Sequence, residues 1–305
     1  MNLKEQVLPY LEYCEFRKEL DKKTLKAYRI DLRQFFEFLA EKEVSKGNME
    51  SYITYLHKSF RQKTVKRKIA SLRAFFNHLE DEELLDTENP FRKIKVKFKE
   101  KLILPRVISR NDIEKLLNYI YKTKRTATAS QRKIMLRDLA VIELFFATGA
   151  RVYEISNLKK SNIDLNSGAI RIMGKGGKER YIQIGSAEVL SLLNEYYKEN
   201  EQEIKRSEYF FVNRRGLRLT EQSIRGMIKK YSKEAAIETH ITPHMFRHSF
   251  ATYLIEEGVD ISYVQDILGH SSIKTTQIYV HIASEKKAEI LRAKHPRLRM
   301  NITAA

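Results

Sequence analysis

Residues 23–39 and 63–79 spell nearly the same helix twice. KTLKAYRIDLRQFFEFL and KTVKRKIASLRAFFNHL are identical at eight of seventeen positions, at an offset of forty. They share the Lys-Thr openings, Lys26 and Lys66, Leu32-Arg33 and Leu72-Arg73, Phe35-Phe36 and Phe75-Phe76, and Leu39 and Leu79. Each copy carries apolar residues at helical spacing: Leu25, Tyr28, Leu32, Phe35, Phe36 and Leu39, then Val65, Ile69, Leu72, Phe75, Phe76 and Leu79. Two copies are too few for a solenoid. They predict two similar helices of one small bundle, joined through a shorter helix from Met49 to Lys58. The copies differ in charge. From Lys58 to Arg73 there are seven basic residues and no acid, whereas the first copy contains Asp31 and Glu37. An acid-free run beside an apolar stripe suits a helix that lies on a polyanion, so Lys63, Lys66, Arg67 and Arg73 are its candidate phosphate contacts.

At 305 residues the chain has room for two domains, each able to bury its own core. Lys and Arg number 57 against 39 Asp and Glu, a formal charge of +18. Such an excess favours a polyanionic partner. One cysteine, Cys14, excludes an intrachain disulfide and suits a reducing cytoplasm. No apolar run approaches the roughly 20 residues of a membrane span, so no membrane partner is expected. The N-terminus mixes acids and apolar residues as an amphipathic helix does, without a secretory cleavage pattern. The pattern divides the chain into helical residues 1–86, a basic segment 87–107 and a second domain 108–305. Asn89-Pro90 starts a turn and Pro105 ends the middle segment. Its cations predict an extended interdomain linker, with Lys93, Lys95, Lys97 and Lys99 following a phosphate backbone.

In the second domain Ser109 caps a helix with acids in its first turn, and residues 121–131 read as a polar loop. Ile134 to Ala147 predicts a largely buried helix, closed by glycine in Thr148-Gly149-Ala150-Arg151. Arg151 emerges at that helix end, before a short helix from Tyr153 to Leu158. The only convincing sheet is a set of short β-type runs, 162–165, 169–173 and 180–184. The second turn of that sheet, Gly174-Lys175-Gly176-Gly177-Lys178, is Gly-rich and basic, yet it is not a P-loop: no helix follows and the spacing differs. A hairpin tip with Lys175 and Lys178 instead reaches toward a DNA groove.

The densest chemistry lies between Thr242 and His281. Thr242 and Pro243 start a helix on which His244 and Arg247, three apart, leave the same face near the N-terminus. Partial positive charge, an imidazole and a guanidinium there favour a phosphate. A second helix, Ile261 to Leu268, ends at Gly269, and His270 follows the turn. Ser271 or Ser272 caps a third helix carrying Tyr279, a plausible nucleophile nine residues beyond His270. His244 and His248 have a zinc-like spacing, but Met245 stands where the metalloprotease pattern needs glutamate; no metal or other cofactor is expected.

ATGARVYEI, GKGGKER, HMFRH, and LGH with Tyr279 nine residues on, in this order, resemble the signature of the tyrosine site-specific recombinases, nearest to short Xer-type and integrase-like members. These motifs lie between residues 147 and 281, and the likeness covers both domains. The resemblance implies a mainly α fold: an N-terminal SAM-like helical bundle, then a mostly helical catalytic domain with a small three-stranded antiparallel sheet, the two clamping DNA from opposite sides. It implies that Arg151, Lys175, His244, Arg247, His270 and Tyr279 form the active site. The family often has leucine before each arginine; here Ala150 and Phe246 stand there, neighbours rather than chemical groups. Two arginines would neutralise charge on the non-bridging phosphate oxygens without a metal. Tyr279 would form a 3′-phosphotyrosine, His244 or His270 would help remove its proton, and Lys175 would protonate the leaving 5′ oxygen. A homotetramer on two sites is implied, with or without a second recombinase or accessory protein. A non-catalytic DNA-binding module has no need of this ordered set; a type IB topoisomerase shares the chemistry, but the small helical first domain favours recombination.

After the tyrosine, Ile282, Ala288, Ile290 and Leu291 form an apolar stripe, and the resemblance implies that this C-terminal helix is exchanged between protomers. Deleting residues after Ala283 is therefore expected to leave single-site DNA binding intact and abolish the two-site synapse. Gel-shift and recombination assays on paired sites check this; unchanged synapsis removes the exchange helix from assembly.

Overall fold

The computed structural model describes residues 3–40, 42–96, 98, 105–174 and 177–269. The chain divides into two compact units, Met1–Lys101 and Leu102–Ala305. Among the described residues there are twelve α-helices and one three-stranded sheet.

Unit 1 consists of α1 (Val7–Phe16), α2 (Lys22–Leu39), α3 (Lys46–Ser59), α4 (Gln62–Asp81) and a 3₁₀ turn at Pro90–Arg92. The repeated sequences are α2 and α4. Asp21 caps α2, its carboxylate accepting the backbone N–H of Lys23 at 3.0 Å and of Thr24 at 2.9 Å. Both predicted stripes are buried in one core, except that Tyr28 is only half-buried. The two copies meet at equivalent positions. Phe35 packs edge-on to Phe76 at 6.0 Å and Phe36 to Phe75 at 6.1 Å between ring centroids. Asp31 accepts a hydrogen bond from Ser71, its own counterpart in the repeat, at 2.8 Å.

Asp31 is fully buried, and it changes the reading of the basic run. It accepts from Lys68 Nζ at 3.0 Å and from the Arg67 guanidinium. Lys68 is therefore an interior residue, and Arg67 is held at its tip while 45% of its side chain remains exposed. Lys63 and Lys66 are exposed on α4. The start of the basic segment is not extended. Phe91 and Ile94, three apart, are buried in the unit 1 core. Asn89 donates to Asn77 Oδ1 at 3.1 Å and Glu80 Oε2 at 3.0 Å. Arg73 donates to the Ile94 carbonyl at 3.3 Å and its guanidinium lies over the Phe91 ring at 5.6 Å. Arg73 thus anchors this segment, and Lys93 pairs with Glu88. Lys95 is exposed; Lys97 and Lys99 lie outside the described residues.

Unit 2 is built on α6 (Ala129–Thr148), which packs against α5 (Arg110–Thr126), α8 (Ala187–Glu199) and α11 (Pro243–Glu256). The expected loop at 121–131 shrinks to Ala127-Thr128. Thr128 and Gln131 form a reciprocal capping box that starts α6 early, and Lys124 and Arg125 sit in the last turn of α5, where cations favour helix. The short helix α7 (Val152–Ser156) follows. The sheet runs β1 (Ile163–Asp164), β2 (Ala169–Met173), β3 (Glu179–Gln183), all antiparallel, with Ile172 opposite Arg180. Then come α8, α9 (Glu201–Lys205), α10 (Glu221–Glu234), α11 and α12 (Ile261–Leu268). Within the described residues, no helix is long and apolar enough to cross a membrane. The segments expected to hold Tyr279 and the C-terminal helix lie outside the described residues.

Asp31→Ala would leave the buried Lys68 ammonium without its carboxylate. Breaking a buried pair from one side costs about 3–5 kcal/mol. Urea titration followed by exchange protection of α2 and α4 is expected to show that loss, and a change under about 1 kcal/mol would mean water replaces Asp31.

Candidate active site

The site begins where α6 stops. Gly149 is left-handed, φ 58°, and its N–H closes the helix on the Phe145 carbonyl at 2.9 Å. A Cβ there would stand 2.5 Å from Phe250 Cδ1 and 2.8 Å from Leu268 Cδ2, so packing as well as conformation requires glycine. The chain turns through Ala150 and delivers Arg151 as the residue before α7.

Arg151 is fixed by Glu154. Its backbone N–H donates to Glu154 Oε2 and its Nη1 to Oε1, both at 2.8 Å. The Glu154 side chain is 1% exposed and that of Arg151 38%. Arg180, from β3, grips the same carboxylate with both ends of its fork, Nη1 to Oε1 at 3.1 Å and Nη2 to Oε2 at 2.7 Å. Burial pushes the Glu154 carboxyl up, but Arg180 first and Arg151 second outweigh it and hold the group below the usual carboxylate range.

Arg247 comes from α11 and is buried. Its Nη1 donates to the Gly149 carbonyl at 2.9 Å and its Nη2 to the Leu268 carbonyl at 2.7 Å. Gly149 caps α6 and Leu268 is the last residue of α12, so one guanidinium closes two helix C-termini, where the dipole favours a cation. Carbonyls orient Arg247 without neutralising it. His244 is exposed on the first turn of α11. Thr242 occupies the N-cap, but its side chain makes no capping bond. His248, half-buried one turn on, is held below the ordinary histidine range by burial first, then by His244 and Arg247, which keeps it neutral at pH 7.

Arg151 and Arg180, two guanidiniums on one carboxylate, make a net cationic group suited to a phosphodiester. Arg247 reaches the Gly149 carbonyl, two residues before Arg151. Gly174 and Lys178 close the hairpin base, the Gly174 N–H donating to the Lys178 carbonyl at 2.6 Å, and Lys178 is exposed. Lys175, His270 and Tyr279 lie outside the described residues. Sequence reasoning did not single out Glu154 or Arg180. Their signals were a glutamate three residues after an N-cap position, and an arginine sharing the strand face of the buried Ile182.

Residues 106–286 match the phage integrase family, and residues 8–83 match the phage integrase N-terminal SAM-like domain. A tyrosine recombinase of Agathobacter rectalis is 47% identical over 300 residues, covering 97% of this chain and 98% of that protein. Tyrosine recombinase XerC of Leptospira interrogans is 33% identical over 305 residues, 98% of this chain and 95% of that protein. The fold is that of the XerH site-specific recombinase in a post-cleavage complex with palindromic difH substrate: TM-score 0.76 at 23% identity, over 95% of this chain and 85% of that one. The chain belongs to the phage integrase family, among its tyrosine recombinases of the short Xer type.

Proposed function

We propose that this chain is a site-specific DNA recombinase, which cleaves and rejoins duplex DNA through a 3′-phosphotyrosine on Tyr279. The observation that carries the reading is the Arg247 fork on the Gly149 and Leu268 carbonyls. It brings the segment leading to Arg151 and the turn leading to His270 to one guanidinium. Arg151 and Arg247 hold the non-bridging oxygens and stabilise the charge that grows on them as Tyr279 attacks phosphorus. An unperturbed tyrosine has a pKa of about 10, so His244 and His270 assist its deprotonation. The P–O5′ bond breaks as the Tyr279–P bond forms, and Lys175 gives the departing oxygen its proton. Attack by a 5′-hydroxyl of a second strand reverses these events and releases the tyrosine, so bond energy is conserved and no nucleotide is consumed.

The enzyme works in the cytoplasm as a homotetramer on two sites, in Xer-like resolution or in element integration and excision, alone or with a second recombinase. Lys63, Lys66, Lys95 and Lys178, all exposed, are its phosphate contacts, with Arg67 presented by Asp31.

Tyr279→Phe is expected to keep DNA binding and lose every covalent adduct on a nicked suicide substrate; adducts that persist would move the nucleophile to another tyrosine. Wild-type cleavage is expected to proceed in EDTA without nucleotide, and a magnesium requirement would sink the phosphotyrosine mechanism. Neutralising Lys63 and Lys66 is expected to weaken binding to all sequences alike and to lower the slope of log K against log salt by about 1 per contact. An unchanged slope would take α4 off the DNA.

A further inference from the structure

Three segments of the site meet at Arg180. Its fork grips Glu154, whose two oxygens also take the Arg151 backbone N–H and Nη1. On another side lies the left-handed turn that ends α12. A Cβ on Gly269 would stand 3.2 Å from Arg180 Cδ, 3.5 Å from Nη1 and 3.7 Å from Nε. The base of the β2–β3 hairpin approaches the same carboxylate, since a Cβ on Gly174 would stand 3.9 Å from Glu154 Oε1. Arg180 therefore touches the hairpin strand it belongs to, the α12 turn, and, through one carboxylate, Arg151.

A second observation separates this residue from an ordinary structural ion pair. The Arg180 side chain is 10% exposed, and its Nε is buried with no hydrogen-bond partner among the described residues. An orphaned buried donor costs about 1–3 kcal/mol. A lysine would supply the charge, and a methionine the packing, without that donor. What only arginine supplies is a rigid planar fork that meets both carboxylate oxygens at once while its edge lies along the Gly269 backbone. With the fork in place, Glu154 cannot rotate, and Arg151 is fixed through two bonds to it.

Resting on the recombinase reading, we propose that Arg180 is a positioning residue, which holds Arg151, the hairpin bearing Lys175 and the Gly269 turn leading to His270 in one register for phosphoryl transfer. The coupling is mechanical. Arg180 need not touch the DNA; it sets where the groups that touch it stand.

The test compares Arg180→Met and Arg180→Lys with the wild-type full chain by two measurements. The first is hydrogen exchange in the DNA-free protein. Arg180→Met is expected to speed exchange together in peptides covering 148–156, 172–183 and 261–269, with α2 and α4 unchanged. The second is single-turnover adduct formation on a nicked duplex beside binding of the uncut duplex. Arg180→Met is expected to slow adduct formation roughly ten- to hundredfold while Kd stays within about twofold. Arg180→Lys is expected to fall between, because a point charge engages one oxygen at a time. Faster exchange confined to 172–183, or adducts at the wild-type rate in Arg180→Met, would overturn the proposal. So would a rise in exchange throughout unit 2 with binding and rate lost in proportion, which would make Arg180 a fold residue only. A wild-type chain that makes no adduct, while the three segments still respond together, would refute the recombinase reading and leave the coupling intact.

Discussion

The catalytic unit turns on one buried guanidinium bonded to two helix ends. Arg247 donates to the carbonyl of Gly149, the cap of α6, and to that of Leu268, the last residue of α12, two helices far apart in sequence. Hydrogen bonds to a charged partner are worth about 1.5–3 kcal/mol each, and more is lost if the charge is left buried without them. That demand forces α6 and α12 to stop near one point. Both do so through a left-handed glycine, φ 58° at Gly149 and φ 65° at Gly269. Gly149 has a further reason to lack a side chain, because Phe250 and Leu268 fill the space beside it. Helix termination, packing and charge placement are here one constraint.

From that junction the chain runs immediately into two of the residues proposed for the site. Two positions after Gly149 stands Arg151, and one after Gly269 stands His270. The Arg151 position could not be supplied by a helix interior, whose side chains leave at fixed angles and whose backbone donors are already used. A helix end followed by a sharp turn presents one side chain with its direction set by backbone geometry. The price is a loose residue, and for Arg151 the Glu154 carboxylate removes that looseness with two 2.8 Å bonds.

Much of this was legible in the sequence because helix signals are local. The repeated stripes, the Gly149 and Gly269 caps, the Ser109 cap and the three short strands all follow from residues within a few positions of each other. What stayed hidden is relational. Residues 121–131 look like a loop because their polar side chains belong to the exposed ends of two helices, and only the Thr128–Gln131 capping box betrays the boundary. The alternating lysines after Asn89 suggest an extended linker, yet Phe91 and Ile94 find apolar cover that composition does not reveal. Lys68 reads as one more surface cation, and its burial depends on Asp31, 37 residues earlier. Glu154 and Arg180 are 26 residues apart, and no periodicity joins a helix turn to the inner face of a strand.

The two units solve the same electrostatic problem in the same way. In each, one buried carboxylate serves two cations, one interior and one part-exposed. Asp31 holds Lys68, whose side chain is 3% exposed, and Arg67, at 45%. Glu154 holds Arg180, at 10%, and Arg151, at 38%. The interior cation offsets the charge of the carboxylate in a low-dielectric setting, where an unpaired carboxylate is costly. The carboxylate is then left to orient the second cation without cancelling it. A lone Asp–Arg pair cannot do this, because its orientation comes with neutralisation. Adding the inner cation makes the trio net positive and places that charge on the outer guanidinium, stiffened at its root and open at its face. Arg67 is thus built as Arg151 is built: in a chain of charge +18, Asp31 and Glu154, two of the three buried acids among the described residues, turn flexible cations into aimed ones.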